Sequence, residues 1–123
     1  MVQSQKAEHK DLLEQSINHL EHLGYEKIKA DLDGFDSPKS FLKKGSDIVV
    51  TPDITAYRRS KKYYFELGIK NDETKLLKSK WRFLDVLSRM KNERFKIITK
   101  KGHYSFTNQV LDDLNLEKNL IKL

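Results

Sequence analysis

The stretch from residue 63 to residue 99 constrains the fold most. Tyr63 to Lys70 (YYFELGIK) is dense in aromatic and apolar residues and reads as a strand. A segment of helical period follows, capped by Asn71 or Asp72 and running to about Lys91. Leu76, Leu77, Trp81, Leu84, Leu87 and Met90 mark its apolar side. Phe95 to Thr99 (FKIIT) then reads as a further strand. A strand, a long helix and a strand in succession form a crossover, which places two parallel strands in one sheet through a right-handed connection. The unit predicts an α/β protein.

The flanking segments complete the order. Residues 6–23 read as a first helix, with Leu13, Ile17 and Leu20 on one stripe and Gly24 as its stop. Tyr25 to Ala30 alternates like a short strand, and DLDGFDSPKSFLKKG is a polar, turn-rich loop. Asp47 to Tyr57 holds a buried-strand run, IVV, interrupted at Pro52, where a strand end, bulge or edge is expected because proline donates nothing to a ladder. RRSKK, residues 58–62, reads as a basic hairpin tip, and a pair of C-terminal helices begins near Thr107. The expected architecture is therefore α-β-β-β-α-β, a mixed sheet between helices, plus a helical tail. The 123 residues suit one domain, with its core at about 6–100 and the extension at about 105–123.

The chain has no cysteine, which removes disulfides, zinc knuckles, iron–sulfur clusters and thiol nucleophiles. No stretch reads as a membrane helix or a secretory leader, so a cytoplasmic location is expected. The net charge of +6 is unevenly spread. Residues 54–101 hold 15 Lys and Arg against 5 Asp and Glu, and the remainder holds 9 against 13. That asymmetry points to a face built for a polyanion, most often nucleic acid, with a lysine-rich solvated surface as the plainer reading.

Three residues carry a candidate chemistry: Asp53 in VTPDITAY, and Glu66 and Lys70 in YYFELGIK. On a strand, Glu66, Gly68 and Lys70 share a face. If Asp53 approaches that face, two carboxylates and an ammonium converge. The acids are then suited to Mg²⁺ or Mn²⁺, a hard cation satisfied by one or two carboxylates plus water and phosphate oxygens. Lys70 would serve the attacking water or the charge developing on phosphorus. Taken singly, Asp53 also reads as a turn-former, and Glu66 with Lys70 as a cross-strand charge pair.

The element order, with Pro52-Asp53 at the second strand and an acid-and-lysine strand next, resembles the PD-(D/E)xK nuclease superfamily. That group includes restriction endonucleases and Holliday junction resolvases. The resemblance covers roughly residues 8–100 and implies a metal-dependent endodeoxyribonuclease acting on DNA, structured or branched DNA included. Glu14, about ten residues before Gly24-Tyr25, matches a first-helix acid found in many members and is implied as a third metal ligand. Small resolvase-like members are usually homodimers. One departure stands out: Gly68 occupies the position two before the lysine, where the family has an acid, and Glu66 lies two residues further back. That departure is equally what a module would show if it kept the fold but lost the metal.

Lys61, Lys62, Lys75, Lys78, Lys80, Arg82, Lys100, Lys101 and His103 are candidate phosphate contacts, positioning nucleic acid without reading its sequence. Trp81 reads as core, and His9 as a packing residue beside Leu13 and Ile17. His19 and His22 lack a third ligand, and ADLDGFD lacks the full calcium-loop spacing. The alternatives are a catalytically inactive nuclease-fold module binding nucleic acid or a protein partner, and a regulator such as a phage or mobile-element accessory. Asp53 and Glu66 close together and both open to solvent would favour the enzyme. Glu66 paired with Lys70, remote from Asp53, would favour the binder.

Overall fold

The middle of the sheet is made where the sequence is most apolar. In the computed structural model, which describes residues 3–123, the strands β1 (Glu26–Ala30), β4 (Ile54–Arg58), β5 (Lys61–Gly68), β6 (Arg94–Thr99) and β7 (Leu120–Lys122) form one sheet in the order β1-β4-β5-β6-β7. The pairs β1–β4 and β4–β5 are antiparallel, and β5–β6 and β6–β7 are parallel. The crossover predicted from residues 63–99 is present: α2 (Thr74–Met90) joins β5 to its parallel neighbour β6.

Alternation along β5 sends its two sets of side chains to different layers. Phe65 and Leu67 face α1 (Gln3–His22), packing with Leu12, Leu13, Ile17, Leu20 and Ile98. Tyr64 faces the other way, toward α2 and α3 (Tyr104–Leu114), in a cluster with Trp81, Leu84, Ile97, Val110 and Leu111. Helices thus cover both faces of a mixed α/β sheet.

Two segments depart from the expectation. The loop after β1 contains a small separate hairpin, β2 (Phe41–Leu42) with β3 (Val49–Val50), so the two valines of the IVV run belong to this second sheet, and of the run only Val50 is buried, not all three residues as expected. Pro52 lies between β3 and β4, which is the interruption expected of a residue without an N–H. The tail holds one helix rather than two. After α3, Asn115 adopts a left-handed conformation (φ 58°), and a single 3₁₀ turn at Glu117–Asn119 leads into β7. The apolar residues Leu120 and Ile121 are drawn into the sheet beside Ile97 and Ile98, and the exposed edge of β6 outweighs the weak helical period of LEKNLIKL.

The β4–β5 tip is tighter than RRSKK suggested. Only Arg59 and Ser60 form the turn, both with positive φ (52° and 65°), and Lys61 and Lys62 already pair with β4. Positive φ at both central positions matches the right-handed twist of a two-residue hairpin. Arg58 lies over the ring of Tyr25, 4.5 Å from its centroid, which anchors the tip to the α1 side of the sheet.

A carboxylate pair closed by a helix lysine

The register Ile54↔Phe65 carries the chain one step further to set Asp53 opposite Glu66. The two acids lock together through the backbone. The Asp53 N–H donates to Glu66 Oε2 at 2.8 Å, and the Leu67 N–H donates to Asp53 Oδ2 at 2.9 Å. Each carboxylate therefore satisfies the backbone of the other's strand at the end of the β4–β5 pair. Asp53 and Glu66 do come together, but only Asp53 is open to solvent, so the second half of the condition set by the sequence, that both acids be open, is not met.

The ammonium at this pair comes from α2. Lys80 Nζ lies 3.1 Å from Glu66 Oε1 and 3.8 Å from Asp53 Oδ1. The neighbouring Trp81 donates its indole N–H to Glu66 Oε1 at 3.2 Å. His9 of α1 approaches from the opposite layer, its Nε2 3.6 Å from Asp53 Oδ1. These groups open into a cavity of about 270 Å³ whose wall includes Lys70, Asn71 and Leu76. The Glu66 side chain is 2% exposed and that of Asp53 18%, so solvent reaches the site through Asp53.

Burial and the Asp53 charge push the Glu66 carboxyl up to about 8, against the opposing pull of Lys80 and the Asp53 N–H. Burial acts on Asp53 in the same sense, but His9, Lys80 and the Leu67 N–H outweigh it and hold that carboxyl below the usual range. The two acids are thus split, one proton-retaining and one firmly ionised, as expected of like charges in a low-dielectric site. Contact with Asp53 raises His9 despite its partial burial. The Lys80 ammonium is also raised, because Glu66 and Asp53 together exceed the cost of desolvating it.

The other candidates fall in different places. Lys70 lies beyond the last residue of β5, so strand alternation no longer governs it. It is exposed on the cavity wall, and its backbone N–H donates to His103 Nδ1 at 3.0 Å. Glu14 is exposed on α1 and outside the cavity, because each helical residue turns about 100° and Leu13, not Glu14, faces the sheet. Gly68 is explained by α3: a Cβ there would sit 2.6 Å from Thr107 Oγ1 and 2.7 Å from its Cγ2.

Among the phosphate candidates, Lys75 and Arg82 are exposed on α2, and Lys78 pairs with Asp113 of α3 at 2.7 Å. Lys61 Nζ donates to the Asn92 carbonyl, and Lys62 covers the Tyr64 ring at 5.0 Å. Lys100 and Lys101 lie in the turn before α3. His103 is buried and both its ring nitrogens are used: Nδ1 accepts the Lys70 N–H, and Nε2 bonds Glu8 of α1 at 2.7 Å. Its chemistry is that of a clamp between elements, not of a phosphate contact.

Two residues of the cavity escaped the sequence reading of the catalytic set. Lys80 was placed among the phosphate contacts, yet it stands between Leu77 and Leu84 at helical spacing, a charge on the apolar stripe, which is a legible sign of an inward-facing cation. His9 was read as packing. Its position one turn before Leu13 was visible, but its closeness to Asp53 depends on how α1 crosses the sheet.

Among the described residues, no group of three or more His, Asp and Glu side chains is set to hold a metal ion, and no helix is long and apolar enough to cross a membrane. Compared with protein-family models, with curated proteins and with solved structures, the chain matches none.

Proposed function

We propose that this protein is a metal-dependent nuclease-like phosphodiesterase acting on DNA, with Asp53, Glu66 and Lys80 as its reacting constellation. The observation that carries the reading is the carboxylate pair on adjacent antiparallel strands with one ammonium 3.1 Å from Glu66. Glu66-Leu67-Gly68 then stands where the PD-(D/E)xK pattern has acid, any residue and lysine. The missing lysine's charge is delivered from α2, and Lys70 becomes a wall residue able to meet substrate phosphate.

The donor set is compatible with Mg²⁺ or Mn²⁺. Asp53 Oδ1 has no backbone donor and offers the cavity a hard oxygen, whereas Glu66 Oε1 already holds the Lys80 ammonium and the Trp81 N–H and would have to release one of them, and the carboxyl its proton, to join it. Two carboxylates suffice for an ion that keeps several of its waters. A bound ion would supply polarisation of the phosphodiester and a more acidic water. The chain's own groups do the rest. The backbone N–H groups of Asp53 and Leu67 fix both carboxylates in place. Lys80 holds positive charge where negative charge builds during hydrolysis, and Trp81 keeps water from the inner side of Glu66. A cytoplasmic setting, a nucleic-acid partner and a homodimer of the resolvase kind belong to the same proposal.

One observation favours a second reading. Glu66 is almost fully buried and receives three donors, as a purely structural ion pair would. The catalytically inactive nuclease-fold binding module therefore stays as the alternative. The deciding experiment titrates Mg²⁺ or Mn²⁺ into wild type, Asp53→Ala and Lys80→Ala with labelled branched and plain duplex DNA. Metal-dependent cleavage by wild type alone supports the nuclease. Salt-sensitive binding with no cleavage at any metal concentration overturns it in favour of the binder.

A further inference from the structure

The small β2–β3 hairpin, whose first strand falls in the segment that reads as a loop, gathers lysines that the cleft does not use. Phe41 packs its ring edge-on against Tyr64 at 6.0 Å and tilts over Phe83 of α2 at 6.5 Å. Around these rings three ammonium groups converge. Lys39 lies 5.7 Å and Lys91 5.3 Å from the Phe41 centroid, and Lys62 lies 5.0 Å from that of Tyr64. Like charges gathered this way repel one another. The aromatic faces offset part of that cost.

The nearby acid is Glu93, and it accepts a hydrogen bond from the Tyr64 hydroxyl at 2.5 Å rather than pairing with a lysine. Among the described residues, Lys39, Lys62 and Lys91 make no ion pair. Lys62 titrates low, chiefly through burial and then through the Lys91 and Lys39 charges, with Glu93 pulling the other way.

The hairpin also connects this cluster to the cleft. Lys43, at the end of β2, reaches across to Ser79 Oγ at 3.4 Å, and Ser79 immediately precedes Lys80. Cationic groups therefore run from Lys80 past Lys43 to Lys39, Lys62 and Lys91. From Glu66 back to Lys62 is four strand residues, about 13 Å. From Lys80 to Lys91 is eleven helical residues, about 16 Å. At about 3.4 Å of axis per phosphate on one strand, that track spans four to five phosphates.

We infer that the β2–β3 hairpin and the C-terminal end of α2 form a backbone-holding track for double-stranded DNA, with Lys43 next to the cleft and Lys39, Lys62 and Lys91 at the far end contacting non-scissile phosphates up to four to five steps from it. This deepens the reading of the cleft as a nuclease site and rests on it for the direction of the DNA, but binding alone tests it. Phe41 is the aromatic platform over which Lys39 and Lys91 lie, and Tyr64 is that of Lys62.

The test is fluorescence anisotropy of a labelled 16-base-pair duplex in EDTA, across 50–200 mM salt, with wild type and the triple variant Lys39→Gln, Lys43→Gln, Lys91→Gln. Glutamine keeps stem length and packing, and a thermal melt equal to wild type establishes that the triple variant folds. Loss of three phosphate contacts should flatten the slope of log K against log salt by about 2.7. Over the fourfold salt range, wild type should then lose about 40-fold more affinity than the variant.

An unchanged slope on the 16-base-pair duplex overturns the track, even if wild type cleaves DNA. A flattened slope with no cleavage by wild type upholds the track and refutes the nuclease. If the Asp53→Ala protein binds as wild type does and shows the same dependence on the three lysines, the track is upheld independently of the catalytic site.

Discussion

Gly68 offers the sharpest test of how this site is built. Set beside the PD-(D/E)xK pattern that the sequence resembles, a glycine there looks like a lost acid or, counted from Glu66, a lost lysine, whereas in the structure it is the point where α3 presses on the sheet. Replacing it by alanine places a methyl 2.6 Å from Thr107 Oγ1, 2.7 Å from Cγ2 and 3.2 Å from Cβ. Thr107 is fully buried and cannot swing away freely. Its hydroxyl meets Thr99 Oγ1 at 3.1 Å, and Thr99 in turn donates to the Gly68 carbonyl at 2.7 Å. Overpacking of this kind costs about 1–3 kcal/mol, and the rigid surroundings place Gly68→Ala toward the upper end, near 2–3. For a domain of this size that lowers Tm by about 10 °C. Thr107→Ala alone should cost about 1–2 kcal/mol through a lost methyl and hydroxyl. It removes the two closest atoms, however, so the double variant should be less destabilised than the two losses added, by about 1–2 kcal/mol. Chemical denaturation of all four proteins closes the cycle. Additive losses, or a Gly68→Ala protein as stable as wild type, would refute the argument that α3 rather than a vanished metal site dictates the glycine.

Removing the Lys80 charge (Lys80→Ala) leaves the ionised Asp53 carboxylate without its helix counter-charge and takes a donor from buried Glu66, which should cost about 1–3 kcal/mol in denaturant melts. An unchanged midpoint would show that the lysine is not their counter-charge. Stability should fall as pH rises from about 4.5 to about 8: folded Glu66 retains its proton above its unfolded pKa, so the folded state binds more protons across that window. His9, also raised, acts in the same sense above its ordinary value, while Asp53, lowered, removes stability only as pH falls into the acid range. Melts of wild type and Glu66→Gln at each pH check this, the variant showing the flatter profile. Finally, Ser60 holds φ at 65°, where glycine is at ease, so Ser60→Gly should raise stability by about 0.5–1 kcal/mol; a lower melting temperature would contradict the turn geometry.

The parts of the fold that follow local rules were legible. Strand β5, helix α2 and strand β6 announce themselves through composition and period, and their pairing follows from the need for a crossover. The tail was not legible, because LEKNLIKL supports a weak helix in isolation and becomes a strand only where the open edge of β6 awaits it. For the site, Asp53 and Glu66 stand on neighbouring strands, where register alone brings them together. Lys70 belonged to the same reasoning only as long as β5 continued, and the strand stops at Gly68. The ammonium that does reach the acids comes from a helix, and His9 from the helix on the other face, so their approach depends on layer packing that no spacing encodes. The aromatic-held lysines have the same origin: residues 39, 62 and 91 meet only because Phe41 docks on Tyr64.

The buried imidazole of His103 ties together three segments: α1 through Glu8, the cavity wall through the Lys70 amide, and the N-terminus of α3, which it immediately precedes. Lys70 itself is exposed and lies outside any strand or helix, where an amide would ordinarily exchange with solvent within seconds. Held by a ring nitrogen, that single amide becomes a spectroscopic gauge of the cleft, its protection rising and falling with the docking of both helices. Hydrogen exchange at one residue would therefore show whether a substitution elsewhere has loosened the cavity before any loss of global stability is seen.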